Sequence, residues 1–513
     1  MSDGFRPDLR RSFRIIIPTL LLLLLHLPPA WASPPTLEFF HPPGAAVGST
    51  NTVQVPGKFE PWPPKVWVDS AGVSFLARTN AGEFQVNVAA GATPGVRLIR
   101  FFNEAGVSEP RPFAIGAGPE ILEVEPNDHF AQAQRIERLP VTINGRLNKA
   151  DDVDSFQVEL KAGQTLDAAV DSIVLMSRLD AVLRVVTTNG VQLAWNHDFA
   201  TLDPRLIWHT TNDQSVVVQV FGFPYPGSSD IRFTGSDGAI YRLKLALTNS
   251  APVLTHGVDS TATPPPLVEL PLTLENAIRV PGQLHRVRLH VKEPGWAAAE
   301  IHAESIGSPL DAWLRVDDHD GKQLSRNDDH NGSRDPYLEW QVTTNTDYTI
   351  VVGSLTRQAG EDHRFRFSLH RVEPAFTLTA TASSMILKPG TTNQLKVVFA
   401  RLRGFTNAVQ LTARDLPAGI SCEPVAAPTK DGEINLQFIA PTNAPPYQGP
   451  FQLNAHDQVS GQDQPVPFLL TGSSSDNGVP GGYRVLLADR TPWLWLTIPA
   501  PEPVKPAEQD GKK

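Results

Sequence analysis

The chain has 513 residues, among them 47 prolines and 37 glycines, with 19% charged and 41% hydrophobic side chains. Charge falls below the usual ~25% and proline well exceeds its usual ~5%, yet the apolar content suffices for packed cores, so wholesale disorder is excluded. A formal net charge of -10 argues against duplex nucleic acid as a partner, and the single cysteine, Cys422, excludes an internal disulfide, a four-cysteine zinc site and a CxxC redox pair.

Residues 1–32 read as a signal peptide. Arg6, Arg10, Arg11 and Arg14 precede the apolar run Ile15 to Leu27, and Ala30-Trp31-Ala32 supplies an AxA cleavage site. The run is too short for a membrane span of ~20 residues, and no later segment approaches that length. The expectation is an exported protein, periplasmic, cell-surface or secreted, with no membrane span in the mature chain. Arg10-Arg11 also fits a twin-arginine signal, so the export route stays open.

Beyond residue 32, strand signals recur and helical ones are nearly absent. Phe84, Val86 and Val88 alternate with polar residues, as do Phe156, Val158 and Leu160, then Tyr241, Leu243 and Leu245, then Ile434, Leu436 and Phe438. Period two with one polar face predicts half-buried antiparallel strands. Asn189-Gly190, Asp320-Gly321 and Asp431-Gly432 predict tight turns between them. The fold class is all-β, as tandem β-sandwiches joined by proline-rich linkers.

A repeat organises the middle of the chain. Leu179-Asp180-Ala181, Leu183-Arg184-Val185, Gly190, Leu193, Asn196 and Asp198 recur at an offset of 131, as Leu310-Asp311-Ala312, Leu314-Arg315-Val316, Gly321, Leu324, Asn327 and Asp329. A period this long is domain duplication, since solenoid units run to ~20–50 residues. The boundaries expected from proline and glycine are 33–118, 119–250, 251–373 with a proline-rich start, and 374–472, followed by a proline-rich polar tail over 473–513.

Acidic residues gather at the start of the second segment. Glu123, Glu125 and Asp128 offer carboxylates and Asn127 an amide oxygen, while Asp151 and Asp154 add two carboxylates further on. Calcium takes about six to eight hard oxygens, which these groups supply if the two stretches meet. The competing reading is a Pro126-Asn127-Asp128 cap beside a solvated Asp151-Asp152 loop. Asp317 to Asp329 fails as an EF-hand, because Gly321 at loop position six puts Val316 and Asn327 at the positions that need Asp and Glu. A hairpin turn is expected there instead, with His302, His319 and His330 as surface residues.

With Glu123-Val124-Glu125-Pro126-Asn127-Asp128, Gly145, Asp151-Asp152-Val153-Asp154-Ser155-Phe156, Gly163 and the Tyr241 strand, residues 119–250 resemble the bacterial pre-peptidase C-terminal domain and the calcium-dependent collagen-binding modules related to it. The resemblance implies a jelly-roll-like sandwich in which the glutamates, asparagine and aspartates of these elements coordinate calcium. Ser155 departs from the tyrosine often found there. Residues 267–373 resemble a degenerate second copy, in which Asp154 becomes His285 and Phe156 becomes Val287. Residues 33–118 and 376–472 resemble bacterial immunoglobulin-like modules of planctomycete-type exported proteins, through Trp62, Val66-Trp67-Val68 and Thr93-Pro94-Gly95 in the first and Leu416-Pro417-Ala418-Gly419 in the second.

GxSxG, HExxH, Walker and GxGxxG motifs are absent, and Cys422 has no basic neighbour to activate it. The expected function is non-enzymatic: an exported binding or adhesion protein with a calcium-stabilised sandwich that engages extracellular protein or polysaccharide. The alternative is a structural or accessory component of an envelope complex or of a secreted hydrolase system.

Overall fold

The computed structural model describes residues 33–197, 199, 202–223, 232–248, 260–330, 333–472 and 486–500. The expected signal peptide, most of the linker after Asn249 and much of the tail lie outside them. The described residues form nine sheets with only short 3-10 turns between strands. They make an all-β chain of tandem sandwiches.

In the first sandwich, Gly44–Ala46, Arg111–Gly116, Gly95–Asn103 and Lys65–Val68 share a core with Thr50–Gln54, Glu83–Val88 and Val73–Ala77. The second has two five-stranded sheets. One runs Glu120–Leu122, Val141–Arg146, Ile240–Thr248, Thr165–Asp171, Arg205–His209, and the other Gln134–Arg135, Val153–Leu160, Gln214–Gly222, Ala181–Thr187, Gln192–Asn196. The third repeats the latter order as Leu267–Val268, His285–Val291, Thr346–Ser354, Ala312–Asp317, Gln323–Asn327.

The duplication extends to details. Each copy has a bulge in its strand pair, after Val185 and after Val316. Both copies also carry an Asp-Pro pair, Asp203-Pro204 and Asp335-Pro336, whose aspartates cap a turn: Asp203 accepts from the Ser172 and Ile173 amides, and Asp335 from those of Ala303, Glu304 and Ser305, each holding a 3-10 turn.

Two of the three expected turns form with left-handed glycines, Gly190 at φ +84° and Gly321 at +78°, whereas Gly432 opens the strand Gly432–Ile439 without a positive φ. A Cβ on Gly190 would stand 2.6 Å from the Phe130 ring, whereas one on Gly321 would meet nothing within 4 Å. Gly321→Ala should therefore lose only the left-handed backbone cost, about 1–2 kcal/mol. Gly190→Ala should lose visibly more and shift Phe130. Urea midpoints of the two variants check this, and equal losses would contradict it.

The fourth sandwich pairs Phe376 and its strand Ala375–Ala380 with Thr392–Leu402 and Phe468–Gly472, against a sheet running Ser384–Ile386, Trp493–Ile498, Tyr447–Asp457, Val409–Arg414. Residues 493–498, expected in a tail after Gly472, are thus an interior strand. Leu494, Leu496 and Ile498 enter the fourth core, while the alternate Trp493 and Trp495 face Trp67 of the first sandwich, with ring centroids 6.3 and 5.9 Å away. Trp495 also meets Phe102 at 4.9 Å. Beside them Arg100, 1% exposed, donates to the carbonyl oxygens of Ser108 and Ser383.

The first and second sandwiches also dock directly. Ala114, Leu175 and Ile240 form an apolar cluster with Phe39 and Val174. Arg242, 4% exposed, pairs with Glu120 and donates to Asn144 Oδ1 at 3.1 Å. The apolar cluster, separate from the acidic one, fixes their junction, with the Arg242 group packed beside it inside the second sandwich.

Candidate metal centre

Between Glu120–Leu122 in one sheet and Gln134–Arg135 in the other, residues 123–133 cross the second sandwich as a strap. Gln134 closes it, accepting from Val124 N and donating to the Leu122 carbonyl. Beneath the strap begins Val153–Leu160. Phe156, Val158 and Leu160 enter the core, and Asp154 shares their face because side chains alternate with period two. A carboxylate is thereby carried to the edge of an apolar core. Asp152, two residues earlier, is also completely buried.

Carboxylate oxygens of Glu125, Asp152 and Asp154 lie within 4.8 Å of one another. Asn127 is buried against them; turned inward, its amide nitrogen donates to Glu125 Oε2 and Asp154 Oδ1, both at 3.1 Å. Turned the other way, the same amide offers its oxygen to the same point. Tyr241, fully buried, donates to Asp154 Oδ2 at 2.5 Å and to Glu123 Oε2 at 3.1 Å, while Glu123 Oε1 accepts from Arg146 N at 2.9 Å. Gly145 makes this possible, since a Cβ there would collide with the Tyr241 hydroxyl and the Glu123 carboxylate.

The electrostatics are unfavourable as they stand. Burial, then the Glu123 charge, pushes the Asp154 carboxyl up to about 10. Burial, then hydrogen bonding with Asp128, raises Asp152 to about 6. Burial also raises Glu123. Asp152 Oδ2 accepts from Asn148 N at 2.7 Å, but Oδ1 has no hydrogen-bond donor, the nearest ammonium being Lys149 at 3.8 Å. Oxygen donors on two chain segments and an orphaned buried carboxylate oxygen fit a hard divalent cation such as calcium.

Of the residues expected as ligands, Glu125 and Asp154 form the cluster, with Asn127 against them and Glu123 joined through Tyr241. Asp128 stands beside it, paired to Lys149 at 3.2 Å. Asp151 is a correction. Its backbone is left-handed, φ +64°, and its carboxylate turns outward to accept from Phe233 N at 3.0 Å. Asp152 takes its place. Asp152 and Tyr241 were missed as site residues, although strand parity pointed to both: Asp152 matches Asp154, and Tyr241 matches the inward Leu243 and Leu245.

The third sandwich replaces the arrangement piece by piece. Asp152 becomes Gln283, whose amide oxygen caps Arg279 N as Asp152 caps Asn148 N. Asp154 becomes His285, bonded to Ser260 Oγ at 2.8 Å and the Ala277 carbonyl at 3.1 Å. Tyr241 becomes Phe365, edge-on to His285, and Gly145 becomes Asn276. At these four positions Gln, His, Phe and Asn serve the fold, so the fold does not require the carboxylates of Asp152 and Asp154. Asp318, His319 and Asp320 also approach one another, but in the exposed hairpin turn, where Asp318 Oδ1 accepts from the Asp320 and Lys322 amides.

By fold the chain is a tandem β-sandwich protein, and the centre of interest is one oxygen-rich cluster. No family model and no curated protein matches it. Solved structures with partial overlap include the M60 catalytic domain with the CBM51-1 and CBM51-2 domains of ZmpB from Clostridium perfringens, at 7% identity over 67% of this chain and 55% of that chain, with a TM-score of 0.14. The ICAM-5 D1-D4 ectodomain fragment overlaps at 11% identity over 84% of this chain and 97% of that one, TM-score 0.14. Escherichia coli alpha-2-macroglobulin activated by porcine elastase overlaps at 10% identity over 84% and 44%, TM-score 0.15. Overlaps this slight carry no functional argument.

Proposed function

We propose that the chain is an exported, non-enzymatic binding or adhesion protein whose second sandwich, of the pre-peptidase C-terminal type, is stabilised by calcium and engages extracellular protein or polysaccharide. Glu125, Asp152 and Asp154 would hold the ion, with the Asn127 oxygen turned inward and Glu123 adjoining. The observation that carries the reading is the buried Asp152 carboxylate, one oxygen of which lacks a donor, gathered with those of Glu125 and Asp154 within 4.8 Å of one another. Such an ion would tie the strap to the strand beneath it. It would act as a staple inside one sandwich, since the junction with the first is held separately by the apolar contact of Ala114 and Phe39 with Leu175 and Ile240.

Calorimetric titration of the full chain with calcium should show one site with Kd at or below about 10⁻³ M, the range of extracellular modules. Asp152→Asn should abolish the heat, whereas Asp151→Ala should leave it. A parent protein without any heat, or a variant pair with the opposite order, overturns the site.

A further inference from the structure

The outer face of the third sandwich carries a basic row. Arg286 lies opposite Val351, Val351 opposite Arg315, and Arg315 opposite Arg326, so three guanidinium groups leave the same side of four paired strands. Arg288 follows on the same face two residues after Arg286. Trp313 packs on Gly353, where a Cβ would come within 2.6 Å of its ring, and the guanidinium groups of Arg326 and Arg315 stand 4.9 and 5.8 Å from a Trp313 ring centroid.

Arg288 and Arg326 are exposed, and Arg286, Arg315 and Trp313 half-buried. The acids within the row are Asp317, which pairs with Arg315 at 2.9 Å, and Asp347, which faces His290 at 2.7 Å and Arg288 at 3.8 Å; by the same parity Asp311 and Asp328 lie at the Trp313 end of this face. Arg286 and Arg326 have no carboxylate partner among the described residues, and the Arg315 Nε proton has no acceptor. The positive character of the row therefore rests on Arg286 and Arg326, two arginines without a carboxylate partner among the described residues, on a chain whose net charge is -10.

The duplication shows that the fold does not require this row. At the equivalent positions the second sandwich has Ser155, Gln219, Arg184 and Trp195. There Gln219 bonds Ser155 Oγ at 2.9 Å and Arg184 Nε at 2.8 Å, which leaves a row with a single, engaged arginine. We propose that the Arg286, Arg315 and Arg326 row with Trp313 binds an anionic polysaccharide bearing carboxylate or sulfate groups along its sugars. Guanidinium pairs such groups through two parallel hydrogen bonds, and an indole face accepts the apolar face of a sugar. Arg286 and Arg315 stand two strands apart, roughly 10 Å, which suits the repeat of a disaccharide. The inference names a ligand for the adhesion reading, but it rests on a different sandwich from the cation cluster and needs no calcium.

The test is retention of the full chain on immobilised polygalacturonate and heparin, with dextran as the neutral control and duplex DNA as the phosphate control. At low salt both acidic polymers should retain the chain equally in calcium and in chelator. Arg286→Ser combined with Arg326→Ser should weaken binding at least tenfold, with an unchanged melting temperature because serine already stands at the first of these positions in the second sandwich. Trp313→Ala should weaken it severalfold, and Asp152→Asn should not alter it. Equal retention on dextran, parent-like binding by the double variant, or duplex DNA held as tightly as the polysaccharides overturns the proposal. Retention that vanishes in chelator also overturns it, by moving the ligand to the second sandwich.

Discussion

In chelator, raising the pH from 4 to 8 should lower the thermal stability of the second sandwich, and calcium should reverse the sign of that slope. Asp152 and Asp154 ionise near 3.8 when unfolded, but at about 6 and about 10 when folded. Between those limits the folded state holds protons that the unfolded state has released, so stability is full below pH 4 and falls as pH rises through 6 and beyond. A cation needs the ionised carboxylates and competes with those same protons, so its contribution grows with pH. At a hundredfold excess over Kd it adds about 2.7 kcal/mol, roughly 10 °C for a domain of this size. Asp154→Asn, which removes the most strained carboxylate, should be more stable than the parent in chelator at pH 8 and less stable in calcium. Melting curves over pH 4–8 with and without calcium check both statements. Parallel curves would show that no ion replaces the protons.

Trp495→Ala should cost about 3–5 kcal/mol, as expected for a large aromatic lost from a tight site. Its side chain is 1% exposed, and its indole Nε1 donates to Gln448 Oε1 at 3.0 Å. Because it lies on the docking face of its strand, the variant should also separate the unfolding of the first and fourth sandwiches into two transitions. Trp67→Ala removes the opposing ring from the first sandwich and leaves the fourth core intact. It should split the transitions with a smaller loss of stability. If neither variant changed the unfolding profile, the contact would not couple the two sandwiches.

The sandwiches were legible because their strands obey period two: Phe84, Val86 and Val88 are buried, as are Ile434, Leu436 and Phe438, with exposed or half-buried residues between. Trp493-Leu494-Trp495-Leu496 reads as an apolar strand that joins a neighbouring sheet, and so it does, but inside the fourth sandwich and not in a tail. It is covered on both faces, by its own core and by the first sandwich, so it shows no polar face. Arg242 alternates with the inward Tyr241 and Leu243 and so reads as solvent-facing, yet it is buried beside Gly44 and Gly116 of the first sandwich, because docking depends on surfaces far apart in sequence. In the cation cluster the acids of the strap were visible as a run. The choice between Asp151 and Asp152 turned on parity, since i and i+2 share a face. Tyr241 went unlisted because a tyrosine in an apolar alternation reads as packing, and its hydroxyl gains meaning only from the carboxylates it meets across the sheet.

The closure between Trp67 and Trp495 has a mechanical consequence. A load drawn along the backbone enters through the first sandwich and leaves through the fourth, and while these two are in contact the tension passes directly between them. The second and third sandwiches then sit in a slack bypass, shielded from force. Rupture of the aromatic contact would bring them into line at once and lengthen the tether before any sheet is torn, so the first event on stretching should be a step in extension with every strand still paired.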